Sequence, residues 1–176
     1  MDRIFFKEEQ RFTSPWIWLL LISAFLASFI PQLYFYYQVP IPENTSVFET
    51  EAAKSLLISM GLEILVFGLI FFLLAKIKLI TEIREGGFYY RYPPIINKEK
   101  KIAKEEIERY EVRQYKPLRE YGGWGVRQGT GKAGKAYNVK GKTGLQLYLK
   151  NGKKVLFGTQ RGDALRRAMD KMMKEY

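Results

Sequence analysis

From Leu56 to Ala75 the chain is almost wholly apolar, LLISMGLEILVFGLIFFLLA, with Glu63 as its one charged residue. About 20 such residues form a helix long enough to cross a hydrocarbon core of about 30 Å. Lys76 and Lys78 follow at once, and the pattern beyond them is polar and basic. An earlier run, Trp16 to Tyr37, is equally apolar. Trp16 and Trp18 stand at one end and Tyr34, Phe35, Tyr36 and Tyr37 at the other, as interfacial aromatic belts do. The run exceeds a signal-peptide core and no small-x-small cleavage site follows it before Pro31, so it is read as a retained span. Pro31 is expected to kink or end the regular helix. The pattern therefore predicts a transmembrane hairpin over 15–78, with spans at about 16–37 and 56–76 and an external loop at 38–54. Pro40, Pro42 and Asn44 mark that loop, and Ser46 with Glu49 reads as a capping box for the second helix. Asn44-Thr45-Ser46 matches a glycosylation sequon, a triplet that chance supplies often.

At Leu79 the period changes from helix to strand. LITEIREGGFYYRYPP reads as strand, Gly86-Gly87 turn and strand, with Phe88, Tyr90 and Tyr92 on one face. The charged stretch Asn97 to Glu108 is expected to be a turn leading into a strand at 107–115. Pro117 to Gly134 is glycine-rich and irregular. Three strand-like runs follow, at 136–139, 145–149 and 153–157, the last two joined by Asn151-Gly152. Asp163 opens a terminal helix whose Leu165, Ala168, Met169, Met172 and Tyr176 form an apolar stripe to pack on the sheet. The expected organisation is a lead-in at 1–14, a membrane α-hairpin, and a mainly β, α+β soluble domain at 79–176. No flexible linker separates the second span from the first strand, so that domain is expected to be held near the membrane face.

Charge adds an orientation. The first 80 residues carry 6 Lys and Arg against 7 Asp and Glu, whereas 81–176 carry 23 against 11. The loop holds one cation, Lys54, the N-terminal tail three. The positive-inside rule then places both termini in the cytoplasm at the cell membrane. A basic domain tethered there is attracted to anionic headgroups. Nucleic acid is not expected as a partner, because no recognition helix or motif is present.

Composition narrows the chemistry. The chain has no Cys and no His, which removes thiol nucleophiles, thiolate metal sites and imidazole acid–base catalysis. No Ser occurs in 81–176, so Ser-Lys chemistry is absent from the soluble part. No catalytic residue, metal ligand, cofactor or small-molecule substrate is expected. Gly129 to Lys135 fits both G-x-G-x-x-G and G-x-x-x-x-G-K, but a strand-like run follows in place of a helix. Ala136 also stands where a phosphate loop needs Ser or Thr. The stretch is expected to be a mobile loop with solvated lysines.

Two groups remain as candidates. Arg127, Lys132, Lys135, Lys140 and Lys142 form a basic run suited to lipid or partner contact. Glu63 is an intramembrane ionisable group. With no second ionisable group in either span, it is expected to bond Ser23 or Ser28 of the first helix or to serve assembly. Small residues at Ser23/Ala27 and Ala24/Ser28 permit close helix approach.

Tyr121-Gly122-Gly123-Trp124-Gly125-Val126-Arg127, Gly141-x-x-Gly144 and Gly158-Thr159-Gln160-Arg161, with Gln10-Arg11-Phe12 and Pro15-Trp16, resemble a family of uncharacterised prokaryotic two-helix membrane proteins. The order of elements also looks like that of bacterial pleckstrin-homology-like (PH-like) membrane proteins. The resemblance implies a curved, seven-stranded antiparallel sheet closed by the C-terminal helix. Taken with the absence of catalytic groups, the chain is expected to be a non-enzymatic adaptor that binds a protein partner or itself, with anionic-lipid binding by 127–142 as the alternative. The first hairpin turn, Glu85-Gly86-Gly87, has only Arg84 and Arg91 beside it, unlike lipid-binding pleckstrin domains. Gly122, Gly123 and Gly125 are expected to permit a tight bend with Trp124 filling the core or the barrel mouth, with a partner-binding site as the alternative.

Overall fold

The computed structural model describes residues 3–12, 15–38, 40, 46, 50–131 and 133–174. They fall into two compact units, Ser14–Leu74 and the combination of Met1–Thr13 with Ala75–Tyr176.

The first unit is a helical hairpin, α1 (Pro15–Gln38) and α2 (Glu51–Lys76), each long and apolar enough to cross a bilayer. Rings interlock between them: Trp18 stacks on Phe71 at 5.6 Å and Phe25 meets Phe67 edge-on at 5.3 Å. α1 runs through Pro31 to Gln38, so Pro31 does not end the helix. A proline removes one backbone hydrogen bond, and membrane helices absorb that loss locally. α2 starts at Glu51, and Thr50 Oγ1 accepts from Ala53 N at 3.3 Å. Thr50 is therefore the cap in place of Ser46. Glu49 and the Asn44-Thr45 sequon positions lie outside the described residues.

The second unit holds nine strands among the described residues, not seven, in two sheets. The four-stranded antiparallel sheet runs in chain order: β1 (Ile4–Arg11), β2 (Lys78–Arg84), β3 (Gly87–Tyr92) and β4 (Ile96–Ala103). A 3-10 turn at Lys104–Glu106 leads into the five-stranded sheet. Its strands are β5 (Ile107–Gln114), β6 (Gly125–Gln128), β7 (Lys135–Asn138), β8 (Thr143–Leu149) and β9 (Lys154–Gly158), in the order β5-β8-β9-β7-β6. β7 and β9 are parallel and the remaining pairs antiparallel. A short helix, α3 (Pro117–Tyr121), precedes β6, and α4 (Gly162–Lys174) ends the unit.

β1 corrects the reading of 1–14 as a lead-in. Phe6 enters the core and Arg11 pairs with Lys78, so residues before α1 complete the sheet that resumes after α2. β4 is a second correction. Its INKEKKI sequence shows no clean alternation because it is an edge, where solvated lysines block further pairing.

Phe88, Tyr90, Tyr92, Tyr137 and Phe157 form an aromatic centre, with Phe88 and Phe157 centroids at 4.5 Å. Leu165, Ala168, Met169 and Met172 of α4 complete that core, as their spacing predicts; Tyr176 lies outside the described residues. The helix begins one residue before Asp163, which sits in its first turn. Alternation sends Leu145, Leu147 and Phe157 into this core and Ala136 and Leu156 to the opposite sheet face. There a smaller apolar cluster forms with Tyr115 and Tyr121.

Candidate functional site

The second cluster is the foundation of the loop that carries Trp124. Pro117 starts α3, where its missing N–H costs nothing. Gly122 ends it at φ +67°, a left-handed cap that a side chain would strain, and donates its N–H to Leu118 O at 3.0 Å. Tyr121 is buried, its ring 6.0 Å from Tyr115 and its hydroxyl bonded to Ala133 O at 3.2 Å. Gly125 N donates to Asn138 Oδ1 at 2.8 Å, and Trp124 Nε1 donates to Gly141 O at 3.2 Å. The indole is thus held at its polar tip, half-buried, with the ring against a cleft.

That cleft, of about 530 Å³, opens between Leu118 and Trp124 with Lys116, Arg119 and Lys142 around it. Leu118 is 69% exposed. Glu120, the one acid on the rim, is already engaged: it accepts from Arg113 Nη2 and Lys116 N, each at 2.7 Å. Burial alone would raise its carboxyl, but these bonds outweigh burial and hold it below the ordinary glutamate range. The cleft is therefore apolar at the centre and cationic at the rim.

The predicted basic run does not converge. Arg127 donates to Trp124 O at 3.0 Å. Lys135 borders a separate cleft of about 540 Å³ with Lys153 and Lys154. Lys140 lies beside β1, Lys142 beside Trp124, and Lys132 lies outside the described residues. Nor is the described part of the 129–135 stretch a loose loop. Gly129 N bonds Gly134 O at 2.7 Å and Thr130 N bonds Glu120 O at 3.0 Å. β7 follows directly, so no helix N-terminus faces the loop. Gly134 is required by packing, since an added Cβ would lie 2.2 Å from Lys154 O.

Gly158 to Arg161 plays a different part. Gly158 O accepts from Gln10 Nε2 at 2.7 Å. Glu8, buried, accepts from Thr159 Oγ1 at 2.6 Å and Gln160 N at 2.9 Å. Gln160 Nε2 donates to Lys140 O at 3.1 Å. These residues fasten β1 to the turn between β9 and α4. A buried carboxylate at position 8 was not legible without knowing that 4–11 is a strand.

No family model, curated protein or solved structure matches this chain.

Within the hairpin, Glu63 accepts from Ser28 Oγ and from Gln32 Nε2, and Gln32 Oε1 accepts from Ser59 Oγ at 2.7 Å. Ser28 is the expected partner. Ser23 is not, and bonds Leu20 O of its own helix at 2.9 Å. Gln32 and Ser59 extend the cluster beyond expectation; Gln32, one turn after Ser28, was the signal available in the sequence. Among the described residues no three acidic side chains gather as metal ligands.

Proposed function

We propose that this chain is an integral membrane protein whose β unit is a PH-like domain acting as a non-enzymatic adaptor, docking a partner segment at the Leu118–Trp124 cleft. The observation that carries this reading is an exposed Leu beside a Trp that is fixed by its N–H, on a loop braced by its own buried cluster. A preorganised aromatic anchor loses little freedom on binding. The fitting occupant is an apolar side chain flanked by acids, because Lys116, Arg119 and Lys142 ring the cleft and Glu120 is paired with Arg113. Dispersal of the 127–142 cations favours this over headgroup binding by that loop.

Two features support the rest of the reading. β1–β4 with β5, β8, β9 and α4 make seven strands and a closing helix, and β6–β7 is then an insertion. The strand before α1 pairs with the strand after α2, which favours both flanks on one side of the bilayer, and the positive charge favours the cytoplasmic side.

The test is photo-crosslinking from position 118 in the full-length protein in its native membranes. The expected adduct is one partner, cross-linked through an acidic, apolar segment, and lost on Lys142→Glu. Adducts to lipid, to a second copy, or unchanged by Lys142→Glu would overturn the reading.

A further inference from the structure

A third concavity, about 440 Å³, runs between edge strand β1 and helix α4. Lys7 comes from the strand and Arg3 from the residue before it; Arg167 and Lys171 come from the helix and Arg161 from the residue before it. Arg167 and Lys171 are four apart and share a helix face. Ala164 and Ala168 are too small to fill the floor. No acidic residue lines the groove. Asp170 is bonded by Tyr110 at 2.6 Å, and Lys7 pairs with Glu82 at 2.9 Å. Among the described residues Arg3, Arg161 and Arg167 form no ion pair with a carboxylate.

Arg3 and Arg161 are positioned by ring faces without being neutralised by a carboxylate. Arg161 Cζ lies 5.4 Å from the Phe6 ring centroid, and Phe5 has Arg3 Cζ at 5.8 Å and Lys171 Nζ at 5.2 Å. Ring faces attract cations but leave their N–H groups able to donate. Arg161 Nη1 also reaches Lys7 O at 3.4 Å, across the groove mouth. The three arginines without a carboxylate partner repel one another, and a compact anion of high charge relieves that repulsion. Three guanidinium forks match tetrahedral oxygens two at a time.

We propose that the β1–α4 groove binds a phosphate group, carried either by a soluble phosphorylated molecule or by a lipid headgroup. The site stands apart from the Trp124 cleft and from the predicted 127–142 run. Its cations were hidden in the sequence because they come from opposite ends of the chain.

The probe is pyrophosphate, titrated by calorimetry into the full-length protein in neutral maltoside detergent at fixed ionic strength. It is expected to bind more tightly than sulfate. Arg167→Gln, an exposed change, is expected to weaken it by about tenfold or more without shifting the melting temperature. Leu118→Glu should leave it unaltered. Pyrophosphate binding no tighter than sulfate, or unchanged by Arg167→Gln, overturns the proposal. Tighter binding of a hexaglutamate peptide also overturns it and assigns the groove to an acidic segment. A second arm repeats the titration in phosphatidylcholine nanodiscs with and without phosphatidic acid. Loss of pyrophosphate binding only with phosphatidic acid assigns the site to a headgroup. Equal binding in both assigns it to a soluble phosphate.

Discussion

Gly158–Arg161 and Tyr121–Arg127 are both short glycine-bearing turns, and they use their polar groups in opposite ways. In the first, the Thr159 hydroxyl and the Gln160 amide are taken up by the buried Glu8, and the Gly158 carbonyl by Gln10. Apart from the Arg161 guanidinium, which faces the β1–α4 groove, these groups are taken up within the fold. In the second, hydrogen bonds tie down the backbone and the Trp124 N–H, while the indole face and Leu118 stay available. A distinctive sequence does not say which of these a turn will be. The partner of each polar atom does.

Deleting residues 3–11 tests the fastening role hardest. It removes Phe6 from the core and strips β2 of one of its two partners, so we expect complete loss of the cooperative melt of the β unit, read by near-UV circular dichroism. A folded deletion variant would show that the Gly158 turn holds nothing essential. Next, Trp124→Ala should cost about 2 kcal/mol or more of partner affinity with little change in melting temperature. If melting falls as far as binding does, the loop is structural and the contrast between the two turns disappears. Thr159→Val leaves a buried Glu8 oxygen without its donor and should destabilise by about 1.5–3 kcal/mol, measured by urea unfolding, with partner capture intact at low temperature.

Smaller effects come from pH. Burial pushes the hydroxyls of Tyr92 and Tyr115 up to about 12, from an ordinary value of 10.0. Above pH 10 the unfolded chain gives up these protons while the folded one keeps them, so their contribution to stability falls between about pH 10 and 12. Tyr115→Phe, beneath the Trp124 loop, should flatten that fall in melts taken across this range. Smallest is Glu120→Gln. The Glu120 carboxyl is held below its ordinary 4.5 by Arg113 and Lys116, so its contribution is present above pH 4.5 and lost on further acidification. The variant should lose less melting temperature than the parent between pH 5 and 3.

Where burial was one-sided, the sequence was legible. The α4 stripe reads correctly because that helix turns one face to water and the other to one core, and the Leu145/Leu147 alternation and the Asn151-Gly152 turn also read correctly although the far face of β8 buries Gln146 beneath Arg113 and Tyr121. β4 escaped because an edge strand hides its period under lysines. β6 escaped because Gly125 and Arg127 carry little strand preference, and its pairing with Ala136 to Asn138 supplies the order instead. β1 escaped because its partner lies beyond two long helices. Of the Trp124 cleft, Trp124 and Lys142 stood out in the sequence. Leu118 did not, since only the α3 turn shows that its side chain is left exposed.

The joining of Arg11 to Lys78 also sets an order in time. β1 is synthesised before both helices, yet its neighbour in the sheet emerges only after they have been made. Until then its edge stays open, and the residues that fasten it, near 159, arrive later still. On the proposed reading of two spans, a nascent chain that threads only one helix through the bilayer leaves β1 and β2 on opposite sides, and the sheet cannot close. On that reading, closure of the β unit waits on both helices, and without it the β2 edge and the place of Phe6 in the core stay open.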